Sequence, residues 1–102
     1  MLEDRSLEAV FCGDDLICMG AMDAARGLGL RIPDDIGFLG FNDMTMSRWS
    51  AYDLSTIRQP IGSIIRESVN LVVSLVDDPG RTPLSKIFPC TVIERKTLRP
   101  KN

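Results

Sequence analysis

Two short apolar runs, each ending abruptly in polar residues, constrain the fold of this chain more than any other feature. The first covers 9–12 and is followed by Gly13-Asp14-Asp15, and the second covers 36–41 and is followed by Asn42-Asp43. Such runs are typical of parallel strands buried on both faces. Between them, apolar residues recur at three- and four-residue steps, which predicts an amphipathic helix over 15–28. The pattern therefore predicts a right-handed βαβ unit with parallel strands.

The rest of the chain predicts fewer elements than a complete parallel sheet needs. We expect an irregular loop over 43–55, a strand over 55–59, a helix over 61–76 and a last strand over 90–95, followed by a charged tail. Three or four strands with two flanking helices are too few to cover both faces of a parallel sheet. We therefore predict an α/β fold that is the C-terminal fragment of a larger domain.

Charge and residue usage exclude several classes of function. The chain carries 12 Lys and Arg against 14 Asp and Glu, for a net charge of −2, so it lacks the basic surface that binds a phosphate backbone. It has no histidine, which excludes mechanisms that need an imidazole base or ligand. We expect a protein that is not an enzyme and that needs no cofactor and no metal.

The three cysteines and the apolar runs predict a cytoplasmic protein. No apolar run approaches the roughly 20 residues of a membrane-spanning helix, and the first residues lack the pattern of a signal peptide. Cys12, Cys18 and Cys90 form no CxxC pair. They are expected to be small buried hydrophobic residues in a reducing compartment.

Polar side chains at the carboxyl ends of the two predicted parallel strands are the candidate binding residues. Ligands of open α/β sheets bind in the crevice outside these strand ends. Asp14 and Asn42 could bracket the hydroxyl groups of a sugar-like molecule by accepting hydrogen bonds. For Asp15 and Asp43 we favour a local role, as a helix cap and a turn residue respectively. Gly37 and Gly40 are better explained by close helix packing than by phosphate binding, because they lie within a strand.

Five segments together resemble the LacI/GalR family of transcriptional repressors. They are AVFCGDDLICMGAM at 9–22, GLRIPDDI at 29–36, GFND at 40–43, LSTIRQP at 54–60 and VIERKT at 92–97. The resemblance covers nearly the whole chain in order, and the joint pattern is highly specific although each piece alone is weak.

The resemblance implies part of a periplasmic-binding-protein-like (type I) effector domain, in which two α/β subdomains enclose a small ligand. By this analogy, 1–57 belongs to the C-terminal subdomain, 58–85 forms a crossover and a helix of the N-terminal subdomain, and 86–102 forms the final strand and tail. The same resemblance implies that DNA is contacted only through a headpiece, which we do not expect within these residues.

The same resemblance assigns ligand contacts to Asp14 and Asn42. The family usually has Asn at the first position and Asp at the second, so the two residue types are exchanged here. The implied effector is a small molecule, with a sugar as the default. Its identity, its action as inducer or corepressor, and the operator stay open.

A homodimer is the expected assembly. The predicted core stripe of the first helix comprises Ile17, Ala21, Ala24, Ala25 and Leu28, which places Met19 and Met22 on the opposite, wet face. Methionine is favoured at adaptable contact surfaces, and the sole tryptophan, Trp49, lies in the irregular stretch after the second strand. In the resembled family the matching helix and loop form much of the subunit interface. We therefore predict a dimer interface through Met19, Met22 and Trp49.

Two other functions remain open at this stage. One is a soluble sugar-binding protein of the same fold that serves a transporter. The other is a receiver-like phosphotransfer domain that holds Mg²⁺ with Asp14, Asp15 and Asp43, since carboxylates suit that ion. The second lacks the usual lysine on a neighbouring strand end, because no lysine precedes Lys86.

Overall fold

The computed structural model describes residues 2, 6–80, 82 and 85–100, and it alternates strands and helices as predicted. In chain order the elements are β1 (Ala9–Phe11), α1 (Asp15–Gly27), β2 (Gly37–Leu39), a 3₁₀ turn (Thr45–Arg48), β3 (Thr56–Arg58), α2 (Ile61–Asp77) and β4 (Thr91–Ile93). The described residues divide into two compact units. One runs up to Arg58 and resumes at Thr91, and the other is Gln59–Cys90.

The first unit contains the parallel strand pair that the sequence predicts. β1 and β2 pair in parallel, with Val10 opposite Phe38. β3 lies beside the continuation of β2, because Ser55 bridges Leu39 in parallel. β4 is antiparallel to β3. The carboxyl ends of β1, β2 and β3 therefore meet at one edge, which is where the polar pairs of the sequence lie.

Helix α1 begins and ends as predicted. Asp14 precedes it in an extended conformation, and its carbonyl accepts from the Cys18 N–H group. After the helix, Gly29 has φ of 79°, a left-handed conformation that favours glycine. The Leu30 N–H group then donates back to the Ala25 carbonyl, which satisfies an end carbonyl of the helix.

Of the predicted inward face of α1, Ala25 is buried and Ala21 packs partly buried against the core, but the rest of the stripe is wrong. The buried residues of this helix are Asp15, Cys18, Met19, Met22 and Ala25, whereas Ile17 is 64% exposed and Leu28 is 42% exposed. The helix carries apolar side chains on two faces, and periodicity cannot select between them. Phe38 and Leu54 complete the core against the methionine face, which leaves the face with Leu16 and Ile17 uncovered by the described residues.

The cysteines and the final residues depart in part from expectation. Cys12 and Cys18 are buried thiols, as predicted, but Cys90 is exposed. The predicted tail includes Thr97, which is 1% exposed. Its hydroxyl donates to the Phe38 carbonyl and accepts from the Ser55 N–H group. This part of the tail therefore belongs to the packed unit.

The second unit consists of α2 and the residues up to Cys90. Within Ile61–Asp77, all of which are described, no residue is buried. A groove of about 370 Å³ runs between α2 and the 86–88 segment, lined by Ile64, Glu67, Ser68, Asn70, Leu71, Ser74, Lys86 and Phe88. Across it, Lys86 pairs with Glu67 at 2.5 Å. Among the described residues, neither helix is long and apolar enough to cross a membrane.

Candidate functional site

Asp14 and Asn42, the two predicted ligand contacts, lie together at the edge where β1 and β2 end. The Asn42 side-chain Nδ2 donates a hydrogen bond to Asp14 Oδ1 at 2.9 Å, across 28 positions of sequence. Asp14 is half-buried and Asn42 is exposed. The structure therefore brings the two residues into one polar pair that faces outward.

Backbone geometry at each position aims these side chains. Asp14 is extended, with φ of −156° and ψ of 151°, and its side chain makes no capping hydrogen bond to α1. Asn42 has φ of 107°, in the left-handed region, and its N–H group donates to the Ile57 carbonyl at 2.8 Å. Asparagine is among the non-glycine residues that tolerate this region best. The Asp14 side chain therefore does not cap α1, and it accepts from Asn42 instead.

The exchange of residue types preserves a complementary pair. Whether Asn follows β1 and Asp follows β2, or the reverse, the pair joins one amide to one carboxylate. Only the direction of the hydrogen bond between them differs. In this chain the carboxylate lies after β1 and the amide after β2. An ionised carboxylate accepts up to about four hydrogen bonds, so Asp14 keeps acceptor capacity for the hydroxyl groups of a ligand.

Asp15 is not the helix cap that the sequence suggests. Its carboxylate is buried and accepts from the Thr56 hydroxyl at 2.6 Å and from the Met44 N–H group at 2.7 Å. It thereby joins the start of α1 to β3 and to the loop after β2. Gly40 lies directly against it, because a Cβ at this position would collide with Asp15 Oδ1. Close packing thus explains Gly40, as predicted, although the contact is with this carboxylate and Leu54.

Asp43 is a turn residue, as expected, but it is also the centre of an ion-pair cluster. Its carboxylate is 2% exposed. Oδ1 accepts from Arg95 at 2.8 Å, and Oδ2 accepts from Arg58 Nε at 2.8 Å. Ser47 donates to Oδ1 at 3.1 Å, and Arg48 lies 3.4 Å from Oδ2.

The surroundings of Asp43 favour its charged form. Burial alone would raise the pKa of this carboxyl. The hydrogen bonds from Arg95, Arg58 and Ser47, together with the charge of Arg95, outweigh burial and hold its pKa well below the ordinary value. Asp43 is therefore an ionised anchor at neutral pH.

Sequence reasoning missed the roles of Asp15 and Asp43 because their partners are distant in the chain. Thr56 lies 41 positions from Asp15, and Arg95 lies 52 positions from Asp43. The same contacts remove the basis of the magnesium alternative, since both carboxylates are engaged by protein donors. Among the described residues, no three acidic, cysteine or histidine side chains are grouped to hold a metal ion.

The predicted dimer interface needs correction at two of its three residues. Met19 and Met22 are 4% and 0% exposed within a single chain, because they form its core against Phe38. Their side chains are therefore not available to a second subunit. Trp49 is 54% exposed, as the prediction requires.

Comparison with known proteins identifies relatives over most of the chain. Residues 2–98 match the family of periplasmic binding protein-like domains. The HTH-type transcriptional repressor PurR of Escherichia coli O1:K1 / APEC is 33% identical over 90 residues, which is 88% of this chain and 26% of PurR. The chain thus spans about a quarter of the length of this relative.

Solved structures show the same similarity. A LacI family transcriptional regulator from Enterococcus faecium with bound ribose aligns with a TM-score of 0.83 and 25% identity, over 99% of this chain and 38% of that one. The complex of the transcriptional regulator CelR with cellobiose aligns with a TM-score of 0.83 and 24% identity, over 88% of this chain and 28% of that one. The second likeness concerns the fold alone.

Proposed function

The chain belongs to the family of periplasmic binding protein-like domains, and on this premise we propose that it is the effector-binding part of a LacI-type transcriptional repressor. Its effector is a small sugar-like molecule, bound outside the carboxyl ends of β1 and β2. The observation that carries the proposal is the hydrogen-bonded pair of Asp14 and Asn42 at this edge. Binding of ribose by the Enterococcus faecium relative supports a polyhydroxyl ligand.

The chemistry of the pair favours hydroxyl groups over anionic ligands. Asp14 brings a negative charge, which accepts from ligand hydroxyls and repels phosphate or carboxylate groups. Asn42 contributes an amide, which can both donate and accept. A sugar, whose adjacent hydroxyl groups also do both, matches this combination.

Nuclear magnetic resonance of the ¹⁵N-labelled chain tests the proposal. D-ribose, cellobiose and the purine base adenine are titrated separately while the Asp14 and Asn42 resonances are followed. We expect saturable shifts at both residues with at least one sugar. The affinity should be weak, because this chain spans about a quarter of the length of PurR. The rest of a protein of that length can supply further contacts to the ligand.

Matched variants identify the binding residues. Asp14→Ala and Asn42→Ala should each lower affinity by about 1–3 kcal/mol, since a ligand hydroxyl group loses its partner. Asp34→Ala, which removes an exposed carboxylate from a turn, is the control and should bind like wild type. Absence of any shift at Asp14 and Asn42 with all three probes, or wild-type affinity in both variants, would contradict the proposal.

We also propose that the chain forms a homodimer, through Trp49 and the outward face of α1. Leu16 and Ile17 on this face are 55% and 64% exposed, and exposed apolar patches commonly mark subunit contacts. Two-fold symmetry would place like patches against each other. Sedimentation should show a dimer that dissociates in Ile17→Glu and persists in Asn70→Asp, a control that adds the same charge at an exposed position of α2. A monomer at high micromolar concentration would refute the assembly.

A further inference from the structure

The turn that carries Asn42 has an unusual backbone. Asn42 and Asp43 follow one another with φ of 107° and 53°. Consecutive left-handed residues other than glycine are strained, and they persist where the surrounding structure over-determines them. The conformation matters for the site, because it aims the Asn42 side chain at Asp14.

Contacts with two other segments, β3 and Arg95 after β4, hold this turn. The Asn42 N–H group donates to the Ile57 carbonyl at 2.8 Å, and the Asp43 N–H group donates to Thr56 Oγ1 at 3.3 Å. The charged contacts come from the Asp43 side chain, whose two oxygens bind Arg95 and Arg58. Arg95 also donates to the Leu54 carbonyl at 2.7 Å, which ties it to the packed unit.

We infer that Asp43 is a positioning residue for the ligand site: its ion pairs with Arg95 and Arg58 hold Asn42 in the conformation that meets Asp14. The inference rests on the proposed function of Asp14 and Asn42 as ligand contacts. Asp43 itself touches no ligand, because its carboxylate is 2% exposed and occupied by protein donors.

The chemistry explains why this position needs a carboxylate. Both oxygens of Asp43 accept, one from each arginine. An asparagine has the same shape and tolerates the same backbone, but it offers one acceptor and turns an NH₂ group toward a guanidinium. Asp43→Asn therefore removes the charge from both ion pairs and one of the two acceptor oxygens, without changing the size of the side chain.

The Asn42 side-chain amide resonance reports the position of this group in the 102-residue chain. Asp14→Ala, which removes the Asp14 acceptor directly, defines the resonance of the amide without this hydrogen bond. In Asp43→Asn we expect the resonance to move toward that reference by more than half of its full shift, and in Arg58→Gln by a smaller but measurable part, because Arg95 still holds Asp43. Arg58→Gln should fold, because this side chain is half exposed, and its distance in sequence avoids a direct effect of a neighbouring substitution.

Two controls separate positioning from loss of stability. Asp35→Asn removes a carboxylate that is paired with Arg31 in another turn. Ala25→Gly loosens α1 at a buried position ten residues after Asp15, roughly 15 Å along the helix. Both should leave the Asn42 amide at its wild-type position. The inference would be overturned if Ala25→Gly moved the Asn42 amide resonance as far as Asp43→Asn does. It would also be overturned if neither Asp43→Asn nor Arg58→Gln moved this resonance.

Titration with D-ribose distinguishes failure of the inference from failure of the proposed function. We expect Asp43→Asn to weaken binding about tenfold, at the lower end of the effect seen when the outer partners of metal ligands are removed. If Asp14→Ala and Asn42→Ala both leave ribose binding unchanged, the proposed function fails and the amide resonance alone decides on Asp43. If Asn42→Ala weakens binding while Asp43→Asn changes neither affinity nor resonance, the positioning role is refuted.

Discussion

Arg95 and Arg58 make equally short contacts with Asp43, yet their removal should have very different effects on stability. Each places a nitrogen 2.8 Å from a carboxylate oxygen. The Arg95 side chain is 12% exposed and the Arg58 side chain is 49% exposed. Breaking a buried ion pair costs about 3–5 kcal/mol, because the remaining charge loses both its partner and its water. An exposed pair contributes about 0.2–1 kcal/mol.

Arg95→Gln should therefore lower the free energy of unfolding by about 3 kcal/mol, at the lower end of that range because Arg58 still faces Asp43. The lost donor to the Leu54 carbonyl acts in the same direction. Arg58→Gln should cost less than about 1 kcal/mol, since water replaces the guanidinium.

Urea unfolding at neutral pH, followed by circular dichroism and by Trp49 fluorescence, measures both losses. With a slope near 1.5 kcal/mol per molar urea, Arg95→Gln should lower the midpoint by about 2 M and Arg58→Gln by less than about 0.7 M. Equal midpoints for the two variants would refute the reasoning that burial, and not distance, sets the strength of these pairs.

Three further predictions concern the same unit. Asp43 has a lowered pKa in the folded state, so its stabilisation is present above the unfolded pKa of about 3.9 and is lost as pH falls below it. Between pH 5 and pH 2, the free energy of unfolding should thus fall less with decreasing pH in Asp43→Asn than in wild type. Gly40→Ala should lose about 1–3 kcal/mol, because its methyl group meets Asp15 Oδ1. Gly20→Ala, where nothing lies within 4 Å, should gain about 0.5–1 kcal/mol in the same unfolding assay. Met22→Ala should cost about 2–5 kcal/mol in urea unfolding, because this residue is fully buried in the core, and a loss near zero would refute the packing of this face.

The sequence determines the order of elements and the place of the candidate site. Strand, helix and strand follow from patterns a few residues long, because backbone hydrogen bonding and side-chain periodicity act over that range. The proximity of Asp14 and Asn42 follows in the same way, since parallel strands bring their carboxyl ends to one edge. The family motifs predict the fold, and the match over residues 2–98 confirms it.

Tertiary structure alone decides which side of α1 is inside. Both faces of this helix are apolar, and the free energy of burial depends on what the neighbouring strands present. Packing against Phe38 selects the face with Met19 and Met22, which removes both from the predicted interface. Local periodicity holds no information on that choice.

The roles of the two acidic residues beside the site were likewise set by distant partners. Asp15 and Asp43 have the local pattern of a cap and a turn, and only Asp43 keeps the expected local role. Their carboxylates are instead bound by Thr56 and Arg95, 41 and 52 positions away. A buried charge needs donors wherever the fold supplies them, and no pattern within one segment identifies a donor that arrives from another.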